Sequence, residues 1–131
     1  MKYGVVFWGY STDIKCVFQL QENTMRIMLW VNSRSSCQPI FKALQIMTVA
    51  AQNILSLMTF WAHHFIYFTF NNSIHGTHTR RRLQLHRPAR KLASYQKGVY
   101  YKSIQTLNFL PKRNADLVGD KKQFVQSLEA F

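Results

Sequence analysis

The sequence predicts a mainly α-helical protein, a small irregular helical domain carrying a long basic loop. Three observations lead there. Apolar residues recur at three- and four-residue spacing over 12–31 and again over 49–67, the period of a helix face. The period is lost over 70–94, where Asn71-Asn72-Ser73, Gly76 and Pro88 punctuate the chain. With 131 residues, 47% hydrophobic and 15% aromatic, the chain can bury one core and is too apolar to be disordered throughout.

The first nine residues read as the end of a helix whose beginning is missing, stopped by Gly9. Ser11-Thr12-Asp13 supplies N-cap candidates for the next helix. Its inward stripe is Ile14, Val17, Phe18, Gln21, Met25 and Met28, and the turn composition of Asn32 to Ser36 ends it near Val31. A short helix follows, with Ser36 as cap, Pro39 in its first turn, and Ile40, Phe41 and Leu44 turned inward. Thr48 caps a long helix from Val49 to Tyr67 with a stripe of Ile54, Leu57, Met58, Trp61 and Phe65. Of His63 and His64, one is expected buried and the other at the rim.

Residues 70–94 are expected to form an irregular basic loop with a short extended piece at Leu83 to Leu85. Helix resumes from Tyr95 to Phe109, weakened at its start by Gly98 and burying Val99, Ile104 and Leu107; Leu110-Pro111 ends it. Asp120 caps a last helix with Phe124, Leu128 and Phe131 on one face. One helical region spanning 1–131 is the expected organisation.

Charge placement is the main functional signal. The chain has 17 Lys and Arg against 5 Asp and Glu, a formal charge of +12. No acidic residue lies between Glu22 and Asp116. Eight basic residues crowd one segment: Arg80, Arg81, Arg82, Arg87, Arg90, Lys91, Lys97 and Lys102. Beside them stand His75, His78 and His86, with Tyr95, Tyr100 and Tyr101 interleaved. Guanidinium and ammonium groups neutralise phosphates while aromatic rings stack on bases, a combination that holds nucleic acid without reading its sequence. These eight residues are therefore the candidate nucleic-acid-binding set.

Other chemistries find little footing. The five acids are scattered and form no carboxylate pair for two-metal catalysis. His75-x2-His78 and His86 lack a neighbouring acid or cysteine to complete a zinc site, so no metal or other cofactor is expected. Cys37 begins a helix without an evident base and reads as a small buried residue. Two cysteines exclude a disulfide-rich scaffold. The apolar run Ile46 to Phe70 contains Gln52, Asn53, Ser56, His63 and His64, whereas a spanning helix needs roughly 20 predominantly apolar residues. A membrane partner is accordingly disfavoured, and a nuclear or cytoplasmic site is expected over secretion.

A succession of short motifs adds a resemblance. Gly4 to Gly9 (Gly-Val-Val-Phe-Trp-Gly), then Phe18, Gln21 and Arg26-Ile27, is followed by Ser36-Cys37, Phe41-Lys42 and Leu44-x-Ile46. Gln52, Thr79-Arg80, Tyr95-Gln-Lys-Gly-Val-Tyr-Tyr101, Asn108-x-Leu-Pro111, Phe124 and Leu128 complete the series. In order and spacing this resembles the region beyond the thumb of non-LTR (LINE-type, jockey-like) retrotransposon reverse transcriptases of arthropods. Glu22, Ala50, Trp30 and Trp61 depart from that pattern. The resemblance implies a fragment of an RNA-directed DNA polymerase whose catalytic carboxylates belong to an Asp-Asp motif absent from this chain. It implies no catalytic residue here, the upstream polymerase domains as a former partner, and RNA or DNA as a non-specific ligand. The alternatives are a small membrane-associated protein anchored by the 46–70 helix and a helical protein-interaction module.

Overall fold

The structure, a computed structural model, describes residues 4–76 and 79–110. Among them lie α1 (Val5–Trp8), α2 (Ile14–Met28), α3 (Gln38–Ala43), α4 (Val49–His63), α5 (Asn71–His75), α6 (Ala93–Gln96) and α7 (Val99–Asn108). A 3-10 turn covers Phe65–Tyr67. The described residues form no strand beyond an isolated antiparallel bridge between Phe70 and Leu85, so the mainly helical expectation holds. The chain forms two compact units, Met1–Ile54 and Leu55–Phe131.

In the first unit, Gly9 follows α1 and is glycine for a reason of space: a Cβ there would collide with the side-chain amide of Asn53. That amide, buried at 3% exposure, donates to the Gly9 carbonyl at 3.1 Å. Asp13 precedes α2 as expected, but its carboxylate makes no capping bond. The core gathers Met25, Cys37 and Phe41 with Ile40 beside them, and the Phe18 and Phe41 rings stack at 6.5 Å. Cys37 is the small buried residue expected, its thiol directed at the Glu22 carbonyl at 3.7 Å. Met28 and Leu44, expected inward, are exposed. Met28 is the last residue of α2 and Leu44 the residue just beyond α3.

Gln21, part of the expected inward stripe of α2, does something else. Its Nε2 donates to the Met47 carbonyl and its Oε1 accepts from Val49 N–H, both at 3.0 Å. One amide thus satisfies an open acceptor and one of the orphan donors at the start of α4. Thr48 adds the expected cap, its Oγ1 accepting from Ala51 N–H at 3.3 Å.

Helices α2 and α3 end in the same way. Val31 N–H donates to Arg26 C=O at 3.0 Å and Trp30 N–H to Ile27 C=O at 3.3 Å. Ile46 N–H donates to Phe41 C=O at 3.0 Å and Gln45 N–H to Lys42 C=O at 3.3 Å. This double bond pattern is the Schellman closure, which needs a left-handed residue that is usually glycine. Here Trp30 and Gln45 take that role, each at φ 53°.

The second unit packs the C-terminal half of α4 against α7. Met58, Trp61, Ala62, Phe68, Leu85, Ile104 and Leu107 form its core. Each large apolar side chain so buried contributes roughly 1.5–3 kcal/mol. Ser103, fully buried, takes the position of closest approach: its hydroxyl lies 2.8 Å from the Val99 carbonyl and 3.4 Å from that of Leu57. Helix α4 stops at His63 rather than Tyr67, and the chain continues as the 3-10 turn. Ile54 and Phe65 at the ends of the predicted stripe are exposed. So are both His63 and His64, correcting the expectation of one buried histidine. His64 turns back on its own helix, with Nδ1 3.0 Å from the Phe60 carbonyl and its ring stacked on Phe60 at 4.4 Å.

Candidate nucleic-acid interface

The described residues of 70–94 are more regularly hydrogen-bonded than their composition suggests. The stretch after Phe68 runs back along residues 82–86. Asn71 N–H donates to Gln84 C=O at 3.0 Å, Asn72 N–H to Arg82 C=O at 3.0 Å, and His86 N–H to Thr69 C=O at 2.8 Å. The expected extended piece is thereby reduced to Leu85, the one residue in a bridge. Helix α5 lies inside the expected loop; five residues are too few to display a helical period. Gly76, at φ 57°, ends it in the left-handed conformation that glycine adopts without strain.

Arg80, Arg81 and Arg82 occupy a tight turn, closed by Arg82 N–H to Thr79 C=O at 3.1 Å and Gln84 N–H to Arg81 C=O at 3.0 Å. All three side chains are exposed. The Asn71 side chain ties the turn down further, donating to the Arg81 carbonyl at 3.0 Å. The arginines are thus presented from an anchored backbone rather than a loose loop.

Arg87 and Arg90 flank Pro88 and meet aromatic rings contributed by the later helices. The Arg87 guanidinium lies 5.8 Å from the Tyr101 ring centroid and that of Arg90 5.6 Å from Tyr95. The two tyrosines meet edge to face at 6.1 Å. Arg87, Tyr101, Tyr95 and Arg90 therefore form a row of two touching rings with a cation over the outer side of each. Each such cation–π contact contributes about 0.5–1 kcal/mol at exposed sites. The extended backbone of Gly98, at ψ 154°, divides the single helix expected over 95–109 into α6 and α7.

The interleaved tyrosines do not share one role. Tyr100 faces the core, stacked on Phe68 at 4.7 Å, and its hydroxyl donates to the Tyr67 carbonyl at 3.3 Å. Burial, and secondarily the neighbouring Tyr95, raises its phenol above the ordinary 10.0. It is not available for base stacking. Lys91 and Lys97 are exposed. Lys102 is half-buried and donates to Gln105 Oε1 at 3.0 Å, which holds its ammonium to α7.

A cleft of about 400 Å³ opens between α5, the 81–87 segment and the end of α7. Arg81, Arg87, His75 and His86 line it, together with Gln105 and Phe109. The His75 and His86 rings stand 5.5 Å apart. His78 lies outside the described residues, as do Asp120, Phe124 and Leu128 of the expected last helix. Among the described residues no three His, Cys, Asp or Glu side chains form a metal-binding group. Among the described residues no helix is long and apolar enough to cross a membrane: α4 spans 15 residues, roughly 22 Å at 1.5 Å per residue against a core of about 30 Å.

Of the eight predicted residues, the fold brings Arg81 and Arg87 into one cleft and Arg87 and Arg90 into one aromatic row. Gln105 and Phe109 were missed. They lie four apart on α7, and an amide and a phenyl ring at that spacing carry no nucleic-acid signal until the opposing basic segment is in place. The chain matches no known protein family, no characterised protein and no solved structure.

Proposed function

We propose that this chain is a non-catalytic helical module that binds nucleic acid through charge and stacking, without reading base sequence. The row Arg87–Tyr101–Tyr95–Arg90 carries the reading: guanidinium groups and exposed tyrosine are held side by side on a segment with no acidic residue from 23 to 115. Cations neutralise phosphates and release counterions, and aromatic faces accept any base. The resemblance to the post-thumb tail of LINE-type reverse transcriptases supports the same reading. On it, the chain is a fragment of an RNA-directed DNA polymerase that helps hold template RNA or target DNA, and the catalytic carboxylates belong to the upstream domains.

The test is equilibrium binding of labelled single-stranded RNA and DNA of random sequence at several salt concentrations. With about 4–6 phosphates engaged, log affinity falls with log salt at a slope of about −3 to −5, and RNA and DNA compete about equally. Salt-independent binding, or binding to anionic vesicles alone, would remove this reading.

A second reading, a helical interaction module, is favoured by one observation. Leu20 and Ile27, two turns apart on α2, are 65% and 75% exposed. Exposed apolar side chains on one helix face suit a protein partner, and the upstream polymerase domains are the partner the resemblance supplies.

A further inference from the structure

We infer that the cleft between α5, the 81–87 segment and the end of α7 is a pocket for the phosphate monoester of a nucleotide. The inference rests on the nucleic-acid reading above and narrows it from a surface to a site. Size comes first. The half-open cleft offers about 400 Å³, within the roughly 300–1,000 Å³ of small-molecule sites.

Charge comes second. Two arginines, Arg81 and Arg87, and two histidines, His75 and His86, line the same space. None of the described lining residues is acidic. An internal phosphodiester carries a single charge. A monoester carries about −1.5 to −2 near neutral pH and offers three acceptor oxygens. Four donor groups in one cleft match the second and exceed the need of the first. An imidazole donates an N–H in either protonation state, so the histidine pair, 5.5 Å between ring centres, can serve the phosphate oxygens without carrying charge.

Pre-organisation comes third. The groups reach the cleft from separate segments that the backbone holds in place. Asn71 secures the Arg81 carbonyl at 3.0 Å, and the Asn108 amide holds both backbone groups of Leu85, beside His86. The Arg87 guanidinium also lies 5.8 Å from the Tyr101 ring centroid. On the α7 side the cleft presents Phe109, 79% exposed, and the Gln105 amide. A ring suits the face of a base, and an amide suits its polar edge or the sugar hydroxyls. The ligand chemistry is thus a nucleoside monophosphate, supplied either free or as the phosphorylated end of a strand.

The test compares one single-stranded RNA of fixed sequence carrying a 5′-phosphate or a 5′-hydroxyl, alongside adenosine monophosphate and adenosine. The 5′-phosphate is expected to tighten binding about tenfold, the gain typical of charge-assisted hydrogen bonds. Arg81→Ala and His75→Ala, both at exposed side chains, should abolish that preference; His75→Ala should leave binding of the 5′-hydroxyl strand unchanged, whereas Arg81→Ala should also weaken both strands alike through its lost phosphate contact. Adenosine monophosphate should displace the phosphorylated strand's advantage, and adenosine should not. If the two strands bind equally, the pocket is wrong and the nucleic-acid reading stands. A preference that survives both substitutions also overturns the pocket, because the monoester is then held elsewhere. If adenosine monophosphate binds but neither strand does, the pocket stands for free nucleotides and the strand-binding reading falls. Binding of none of the probes ends both.

Discussion

Asn108 holds Leu85 by both of its backbone groups: its Oδ1 accepts from Leu85 N–H and its Nδ2 donates to Leu85 C=O, each at 3.0 Å. A side-chain amide on α7 thus takes the place of a neighbouring strand. It satisfies a residue that is 3% exposed and fastens the basic segment to the helix at the point where the cleft forms. Replacing Asn108 by Ala leaves that buried N–H without its partner, at a cost of about 1–3 kcal/mol. The expected result is a lower denaturation midpoint together with faster hydrogen exchange at Leu85 and His86. Unchanged exchange there would show that the 70–85 pairing alone holds the segment.

Changing Arg80, Arg81 and Arg82 together to Ala should weaken binding to all sequences alike and make the salt slope shallower by about 2–3. Their turn is closed by backbone bonds, so the fold is expected to persist, with an unchanged circular dichroism spectrum. An unaltered slope in a folded triple variant would take the turn out of the interface.

Trp30 should be improvable. It occupies the left-handed position that closes α2, at φ 53°, and its side chain is 96% exposed, so little packing offsets the strain. A left-handed non-glycine residue costs roughly 1–2 kcal/mol. Trp30→Gly is therefore expected to raise stability by about 1 kcal/mol in denaturant titration, part of the gain being lost to the greater freedom of glycine in the unfolded chain. Gln45→Gly should act in the same direction for α3. A destabilised Trp30→Gly variant would mean that the exposed ring contributes packing the helix closure conceals.

Tyr100 sets an alkaline limit. Its folded-state phenol is raised above 10.0 by burial and then by Tyr95. The unfolded chain releases this proton first, so it binds fewer protons than the folded chain through that range. The stability Tyr100 contributes is fully present below the unfolded value and is lost as pH rises through the folded one. Tyr100→Phe should remove a late-titrating component from the tyrosinate absorbance and flatten the loss of stability in that window. An identical alkaline profile in Tyr100→Phe would refute the assignment.

What the sequence determined by itself was local. Helices α2, α3 and α4 follow from apolar spacing together with Thr48 and Pro39, because a helix face repeats within a few residues and its period survives without knowledge of a partner. The basic character of 80–102 is likewise a property of composition. Tertiary structure decided what each of these residues became. Tyr100 went to the core and Tyr101 to Arg87, although they are adjacent and chemically identical. Gln21 became a cap for a helix that begins 28 residues later, and Met28 and Leu44 lost the cover their period promised. The cleft depends on Phe70 meeting Leu85 and on Asn108 reaching back 23 residues to the same Leu85. Such contacts arise from loop closure and packing between distant segments, where neither periodicity nor charge pattern carries information, and so only the folded chain brings Arg81, Arg87, His75 and His86 to one site.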